Sequence, residues 1–422
     1  MMGKSKGDNR GQRVQGVVDL GTSKIAAAII VPSDDAQGGP GFRIAGLGLQ
    51  KSKGVKAGVL VDLDEAETAL RAAIAQAERA AGVTVEGVTV SVACGRLKSQ
   101  HFAANTETGS GVVTDEDLQR LMAAGRAYAE RDGRTLLHLN RLGFRLDGAT
   151  GIADPRGLSG RNMSGHFHAV NADEAPVRNL LLLIERCFLE CHGLVAAPFA
   201  SALAVTTQED RDIGVTCIDL GAGTSSIAQF TDGKFLGADV VPVGSQHISF
   251  DIARSLQMPL GEAERLKSLY GTMFVAQSDE HETFSYGLAD QNADEANYCT
   301  KAKLSDVIRP RVSQIAGLLR ERLSGSPASA YAGEKIVLTG GASALIGIGE
   351  FLTREFGRPV SVAAPHQVPG LGQSVSGPQF ATLAGLARAA IVGGVETGLD
   401  HKLGHAGRGY LGRVGHWLKT GF

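Results

Sequence analysis

Two short segments, at positions 19 and 219, carry the same chemistry: Asp19-Leu20-Gly21-Thr22-Ser23-Lys24 and Asp219-Leu220-Gly221-Ala222-Gly223-Thr224-Ser225. In each, an apolar run ends in an aspartate and then in a turn of glycines and hydroxyls. Glycine lets the backbone come close to a ligand, and successive N–H groups beside a Thr or Ser hydroxyl form a concavity suited to phosphate oxygens. Gly21, Thr22 and Ser23 in the first copy, with Gly221, Gly223, Thr224 and Ser225 in the second, are therefore candidate phosphate ligands. Lys24 follows the first turn at once, where its ammonium could meet β- and γ-phosphates as a point charge. Asp19 and Asp219, acceptor-only when ionised, suit the water shell of a Mg²⁺ ion that travels with a nucleotide. The first turn lacks the upstream glycine and spacing of a Walker sequence. A third glycine turn, Leu338-Thr339-Gly340-Gly341-Ala342-Ser343, follows later.

The elements that must position these turns repeat as well. Val14 to Val31 reads as strand, tight turn and strand, and Phe42 to Leu49 as a third strand. Asp62 then caps a helix in which Leu63, Ala66, Leu70, Ala73, Ile74, Ala77 and Ala81 keep helical spacing until Gly82 stops it. Val215 to Val243 repeats the meander, with Asp232-Gly233 as a hairpin turn. Such a repeat predicts two related halves that grip one phosphate chain. Val85 to Val170 breaks the pattern and reads as an inserted subdomain. It holds an acidic helix start capped by Thr114, a strand at Leu136 to Leu146, and a Gly/Pro-rich loop from Asp154 to Gly160. A second insertion, Phe250 to Tyr331, has helical ends around an acidic stretch, Asp279 to Asn297, expected to be a solvated loop. Glu334 to Thr339 returns as a strand leading into the third turn.

The apolar share of 43% and net charge of -2 over 422 residues describe an ordinary globular protein with no global pull toward nucleic acid. No uninterrupted apolar stretch approaches the roughly 20 residues that a membrane span needs. Met1 to Arg13 is polar and basic without an apolar core, which predicts a disordered lead rather than a secretory signal and places the chain in the cytoplasm. The five cysteines are odd in number and scattered, as reduced thiols used as small hydrophobes would be. Cys187, Cys191 and His192 lie close in sequence, but no second ligand pair follows at zinc spacing, and Leu180 to Cys191 reads as a core helix. His166 and His168 fall on one face of a predicted strand, and two ligands alone do not make a metal site.

In order and spacing, the three turns resemble the nucleotide signatures of the actin, heat-shock-chaperone and sugar-kinase superfamily. That resemblance spans nearly the whole chain. It implies an α/β fold of duplicated actin-like (RNase H-like) domains around a nucleotide cleft, with ATP phosphates between the first two turns and adenosine against Gly340, Gly341 and Ala342. Lys53 to Asp62, Ala77 to Gly82, Glu262 to Lys267 with Tyr270-Gly271, and Gly377 to Thr382 resemble more narrowly the FtsA family of bacterial cell-division proteins. Asp147-Gly148, Asp154 to Gly160 and His168 resemble that family's own subdomain. The resemblance implies that Glu264 and Lys267 reach the ribose and base edge. It further implies self-association into filaments and recruitment of the tubulin-like protein FtsZ through its C-terminal peptide, with Lys303 and Arg311 as candidates for that acidic peptide. Contacts with later division proteins would fall to the inserted subdomain.

At the end of the chain, Tyr410, Leu411, Val414, Trp417, Leu418 and Phe422 recur at helical intervals, with Arg408, His416 and Lys419 opposite and Arg413 at the edge. A basic amphipathic helix bearing the only Trp suits the headgroup boundary of an anionic membrane. Gly409, Gly412, Gly415 and Gly421 each cost about 1 kcal/mol of helix propensity relative to Ala, so this helix is expected to form on the bilayer.

The expected organisation is a lead (1–13), a first actin-like domain (14–84, completed by 171–212 and 378–392) with the FtsA-type insert at 85–170, and a second (213–249, completed by 332–377) with its insert at 250–331. A linker (393–407) and the membrane-targeting helix (408–422) follow. The function expected is an ATP- and Mg²⁺-binding protein that polymerises at the cytoplasmic face of the inner membrane, at the division site, and tethers FtsZ filaments there. A soluble actin-like ATPase or kinase, of pilus-assembly or small-molecule type, is the alternative. Because Pro198 to Val205 holds no carboxylate or Gln to activate water, weak or no ATP hydrolysis is expected.

Overall fold

The computed structural model describes residues 14–34, 40–287, 297–329, 333–372 and 375–392. The predicted amphipathic helix, with Tyr410, Leu411, Arg413, Val414, Trp417, Leu418, Lys419 and Phe422, lies outside the described residues, as does the 1–13 lead.

The first sheet starts as the expected meander, β1 (Gln15–Leu20), β2 (Lys24–Asp34) and β3 (Pro40–Lys51). A small hairpin, β4 (Val55–Lys56) and β5 (Val59–Leu60), leads to helix α1 (Leu63–Ala81). The Asp62 carboxylate accepts from the Asp64 and Glu65 amides, and Gly82 closes α1 in the left-handed conformation at φ 70°. The buried face of α1 is mostly alanine because β3 presses glycines against it. A methyl on Gly46 would lie 2.0 Å from Ala77 O, and one on Gly48 would lie 1.8 Å from Ala73 O. Helix and sheet therefore touch backbone to backbone, and larger residues on either side would force them apart.

β6 (Gly87–Val92) pairs parallel with β1, so residues 87–92 belong to the first sheet and not to the insert in which the sequence pattern placed them. The inserted unit comprises β7 (Lys98–Glu107), α2 (Asp115–Glu130), β8 (Arg134–Leu146), β9 (Ala149–Ile152) and β10 (Asn162–Asp173). Its four strands form their own sheet in the order β7-β10-β8-β9, and α2 starts from a Thr114–Asp117 capping box. Helix α3 (Glu174–Arg186) ends earlier than expected, and β11 (Glu190–Ala196) completes the first sheet beside β6. Cys191 is therefore a strand residue, and no group of three His, Cys, Asp or Glu side chains among the described residues could hold a metal ion. His166 is exposed while His168 is fully buried, its ring packed against Phe235 of the second meander and bonded to Phe235 O.

Helices α4 (Ala197–Val205) and α5 (Gln208–Ile213) lead into the second meander, β12 (Val215–Leu220), β13 (Ser225–Thr231) and β14 (Lys234–Val241). Asp232 and Gly233 make its hairpin turn with φ of 52° and 70°. The second insertion carries α6 (Ser245–Leu256), α7 (Leu260–Tyr270), the strand pair β15 (Thr283–Tyr286) and β16 (Asn297–Thr300), and α8 (Lys301–Gly325). Part of the acidic stretch is thus a strand rather than loop. β17 (Lys335–Thr339), α9 (Ile348–Phe356), β18 (Val360–Val362) and α10 (Ala381–Val392) complete the described chain.

The sheets have orders β3-β2-β1-β6-β11 and β14-β13-β12-β17-β18, so the duplication read in two turns extends to whole sheets. Registers agree residue for residue: Asp19 faces Ala26 and Leu20 faces Ile25, as Asp219 faces Ser226 and Leu220 faces Ser225. α4 and α10 cross backbone to backbone, since a methyl on Gly385 would lie 1.7 Å from Ala200 O. That crossing sets Ser201, the residue after Ala200, and Thr382, three residues before Gly385, at the floor of the cleft.

Candidate nucleotide site

The two phosphate turns are built alike. The Gly21 amide donates to Lys24 O at 3.0 Å, and the Gly221 amide donates to Thr224 O at 3.0 Å. Each glycine is needed, because a methyl would come within 2.8 Å of Lys24 O or 2.9 Å of Thr224 O. The turns face each other across the cleft with Gly223 set against the Thr22 side chain. Thr22 Oγ1 also accepts from the Gly58 amide at 3.3 Å, which ties the β4–β5 hairpin to the first turn. Ser23 is exposed and Thr224 half-buried, so both hydroxyls can reach a ligand. Ser225 cannot: it is fully buried and donates to Val243 O at 2.7 Å, which removes it from the expected phosphate ligands. Lys24 Nζ donates to Gln379 O at 2.5 Å and lies 4.8 Å from the Phe380 ring centre.

Asp19 and Asp219 form the half-buried floor between the turns. Ser91 Oγ donates to Asp19 at 2.8 Å, while Ser201 and Thr382 donate to Asp219 at 2.6 and 3.3 Å. Burial raises the Asp19 carboxyl above the ordinary carboxylate range, against the pull of Lys24 and Ser91. Asp219 is likewise raised by burial, opposed by Ser201 and reinforced by the charge of Asp19. Two neighbouring desolvated carboxylates favour a hydrated divalent cation between them, and these residues fit Mg²⁺ held through water.

The third turn closes on the same floor. Gly340 adopts φ 87°, and a methyl there would lie 2.2 Å from Asp219 Oδ1, so only glycine permits this approach. Its amide donates to Pro378 O at 3.2 Å, and the adjacent Gln379 O holds Lys24, so the segment before α10 bridges the first and third turns. Gly341 is exposed and open, since a methyl there would meet only Gln379 Cβ, at 3.7 Å, while Ala342 is buried. On α7, Lys267 is 6% exposed and donates to Glu264 at 2.7 Å, Ser249 Oγ at 2.9 Å and Ser245 O at 3.2 Å. Burial lowers its pKa, and Glu264 opposes that. Glu264 is exposed and accepts from Ser249, so it is the better placed of the pair to meet a ligand hydroxyl.

Sequence reasoning missed Ser91, Ser201, Thr382 and Gln379. Ser201 carries the only polar side chain of α4, and in an apolar helix such a hydroxyl must find a buried partner. That partner is Asp219, which leaves α4 without a free group to activate water.

The partner-peptide candidates lie apart from the cleft on α8. Arg311 makes a bidentate pair with Asp251 of α6, at 2.6 and 2.8 Å, and Lys303 is exposed eight residues earlier, about 12 Å along the axis.

The model of the family described as Cell division protein FtsA matches residues 216–385, and that of the SHS2 domain inserted in FTSA matches residues 94–171. The Cell division protein FtsA of Rhizobium meliloti (strain 1021) is 36% identical over 421 residues, covering 97% of this chain and 95% of that protein. The chain belongs to the FtsA family. The FtsA of Neisseria meningitidis serogroup B is 31% identical across 97% of the chain and 99% of its own length. The match at 94–171 coincides with β7 to β10 and α2, so the FtsA insert begins after β6. Among solved structures, a PilM-PilN type IV pilus biogenesis complex has TM-score 0.63 at 18% identity, covering 89% of this chain and 98% of that one. MreB5 of Spiroplasma citri bound to ADP has TM-score 0.53 at 13% identity, covering 90% and 96%. These neighbours bear out the duplicated actin-like fold. The chain is a member of a cell-division family.

Proposed function

We propose that this FtsA-family chain binds ATP·Mg²⁺ between its two glycine turns, polymerises at the cytoplasmic membrane and tethers FtsZ filaments to it. The observation that carries the nucleotide reading is the pair of equivalent turns facing each other over Asp19 and Asp219. Gly21, Thr22, Ser23, Lys24, Gly221, Gly223 and Thr224 hold the phosphates. Gly340, Gly341 and Ala342 take the adenosine, with Glu264 and Lys267 at its ribose edge. Hydrolysis is slow or absent, since the sole α4 hydroxyl is committed to Asp219.

No helix among the described residues is long and apolar enough to cross a membrane. Attachment is assigned to the 408–422 segment, whose weak individual binding is multiplied along a filament. Arg311 and Lys303 receive the acidic C-terminal peptide of FtsZ. Co-sedimentation with anionic liposomes tests the tether. The full chain binds in the presence of ATP and Mg²⁺ and a chain ending at Gly407 does not; equal sedimentation of the two would remove the tail from the account.

A further inference from the structure

The insert is bonded to both halves of the nucleotide clamp. On the first domain, His138 Nε2 accepts the Ala196 amide at 2.9 Å, at the junction of β11 and α4, while Arg134 pairs with Asp173 and donates to Arg96 O where the insert leaves and rejoins that domain. On the second domain, the insert covers the outer edge of β14, the free edge of that sheet. His168 Nδ1 meets Phe235 O at 2.8 Å, His101 Nε2 meets Leu236 O at 2.7 Å, and Ser99 Oγ accepts the Ala238 amide at 3.2 Å. Ser99 Oγ also lies 2.5 Å from His168 Nε2. Since Nδ1 must donate to the Phe235 carbonyl, Nε2 accepts, and the Ser99 hydroxyl donates to it. Three side chains thus satisfy three backbone groups of an edge strand, the Phe235 and Leu236 carbonyls and the Ala238 amide.

The clasp reaches the site through packing. Phe235 of β14 lies 5.2 Å from the His168 ring, 5.6 Å from His138 and 4.8 Å from Phe199. Phe199 is in α4, two residues before the Ser201 that holds Asp219. Burial pushes His138 and His168 down to about 3, so both of these rings are neutral at neutral pH.

Resting on the nucleotide reading above, we infer that the inserted subdomain is a strap between the two actin-like domains, held at β14 by Ser99, His101 and His168, which restrains their rotation and couples nucleotide binding to the insert's position. The domains share the α4–α10 crossing as a pivot, so any rotation moves β14 relative to β7 and β10 and must strain or release the clasp. By linkage, the free energy with which nucleotide favours one domain geometry is the free energy it exerts on the clasp.

Hydrogen–deuterium exchange on the full chain, with and without ATP·Mg²⁺, tests this. In the parent protein, nucleotide changes exchange at the phosphate turns and also at β14 and β7. In Ser99→Ala, and independently in His101→Phe, the turns still respond but the insert no longer does. ATP affinity falls about fivefold or more, the low end of typical allosteric coupling, because the domains are less pre-organised. Response at the turns with none at β14 or β7 in the parent, or an unchanged response of the insert in both variants, overturns the strap. No response at the turns in any form would contradict the nucleotide reading itself, and the strap falls with it. Matched circular dichroism and melting curves separate coupling from unfolding.

Discussion

Gly223 of the second turn lies directly against Thr22 of the first: a methyl group on Gly223 would sit 2.3 Å from Thr22 Oγ1 and 2.8 Å from its Cβ. The turns are thus in contact through a position that only glycine fills without displacement. Gly223→Ala must push them apart and is expected to weaken ATP binding by about tenfold, roughly 1.4 kcal/mol, in a calorimetric titration. An affinity equal to that of the parent would show that the facing of the turns is not what holds the phosphates.

The Asp19–Asp219 floor makes a prediction with a definite sign. Both carboxyls are raised above the ordinary carboxylate range by burial, so in the window just above that range the folded chain binds more protons than the unfolded one. Their contribution to stability therefore falls as pH rises through the window, and at neutral pH they are a cost that a divalent cation offsets. Asp219→Asn is expected to raise the melting temperature without nucleotide while abolishing the further gain from Mg²⁺ with ATP. In the parent, that Mg²⁺-dependent gain is lost as pH falls through the raised pKa values, sooner than for an unperturbed carboxylate. A gain that persists in Asp219→Asn contradicts the metal assignment.

Asp251 already occupies the guanidinium of Arg311 in a bidentate, half-buried pair. An incoming peptide carboxylate must compete with it or share the fork. Asp251→Asn is expected to tighten binding of the FtsZ C-terminal peptide, and Arg311→Glu to weaken it by about tenfold or more, roughly 1.4 kcal/mol. Fluorescence anisotropy with a labelled peptide reads both. Insensitivity to both changes would move the peptide site away from this part of α8.

Trp417 is the only tryptophan and belongs to the apolar residues that recur at helical intervals in the sequence of 408–422. Trp417→Glu is expected to release the protein from anionic liposomes while leaving ATP affinity unchanged, since it replaces a membrane-interface anchor with a charge that anionic headgroups repel. Undiminished sedimentation would assign membrane contact elsewhere.

Much of this was legible in the residues, and what was not has a common cause. Local chemistry was readable: the Asp62 cap and Gly82 stop of α1, the Asp232-Gly233 hairpin, the Thr114 capping box and the two equivalent turns all depend on neighbours within a few positions. Pairings over long separations were not. The place of β6 in the first sheet depends on its parallel pairing with β1, and β11 begins where helical spacing still continued through Cys191. Ser201 and Thr382 reach Asp219 only because Gly385 lets α4 and α10 cross backbone to backbone. Ser225 was misread because its type fits a phosphate ligand, whereas strand alternation turns its hydroxyl toward Val243 O.

Gly341 offers the most direct test of the nucleotide site. It is exposed, without a positive φ, and a Cβ added there would meet only Gln379 Cβ at 3.7 Å, so Gly341→Asp is expected to leave the fold intact while placing bulk and charge at the proposed adenosine site. The measurement is isothermal titration of ATP·Mg²⁺ into the full chain and into Gly341→Asp, at matched melting temperature. One site in the parent and none in the variant is the predicted result; equal binding by both, or none by the parent, would contradict it.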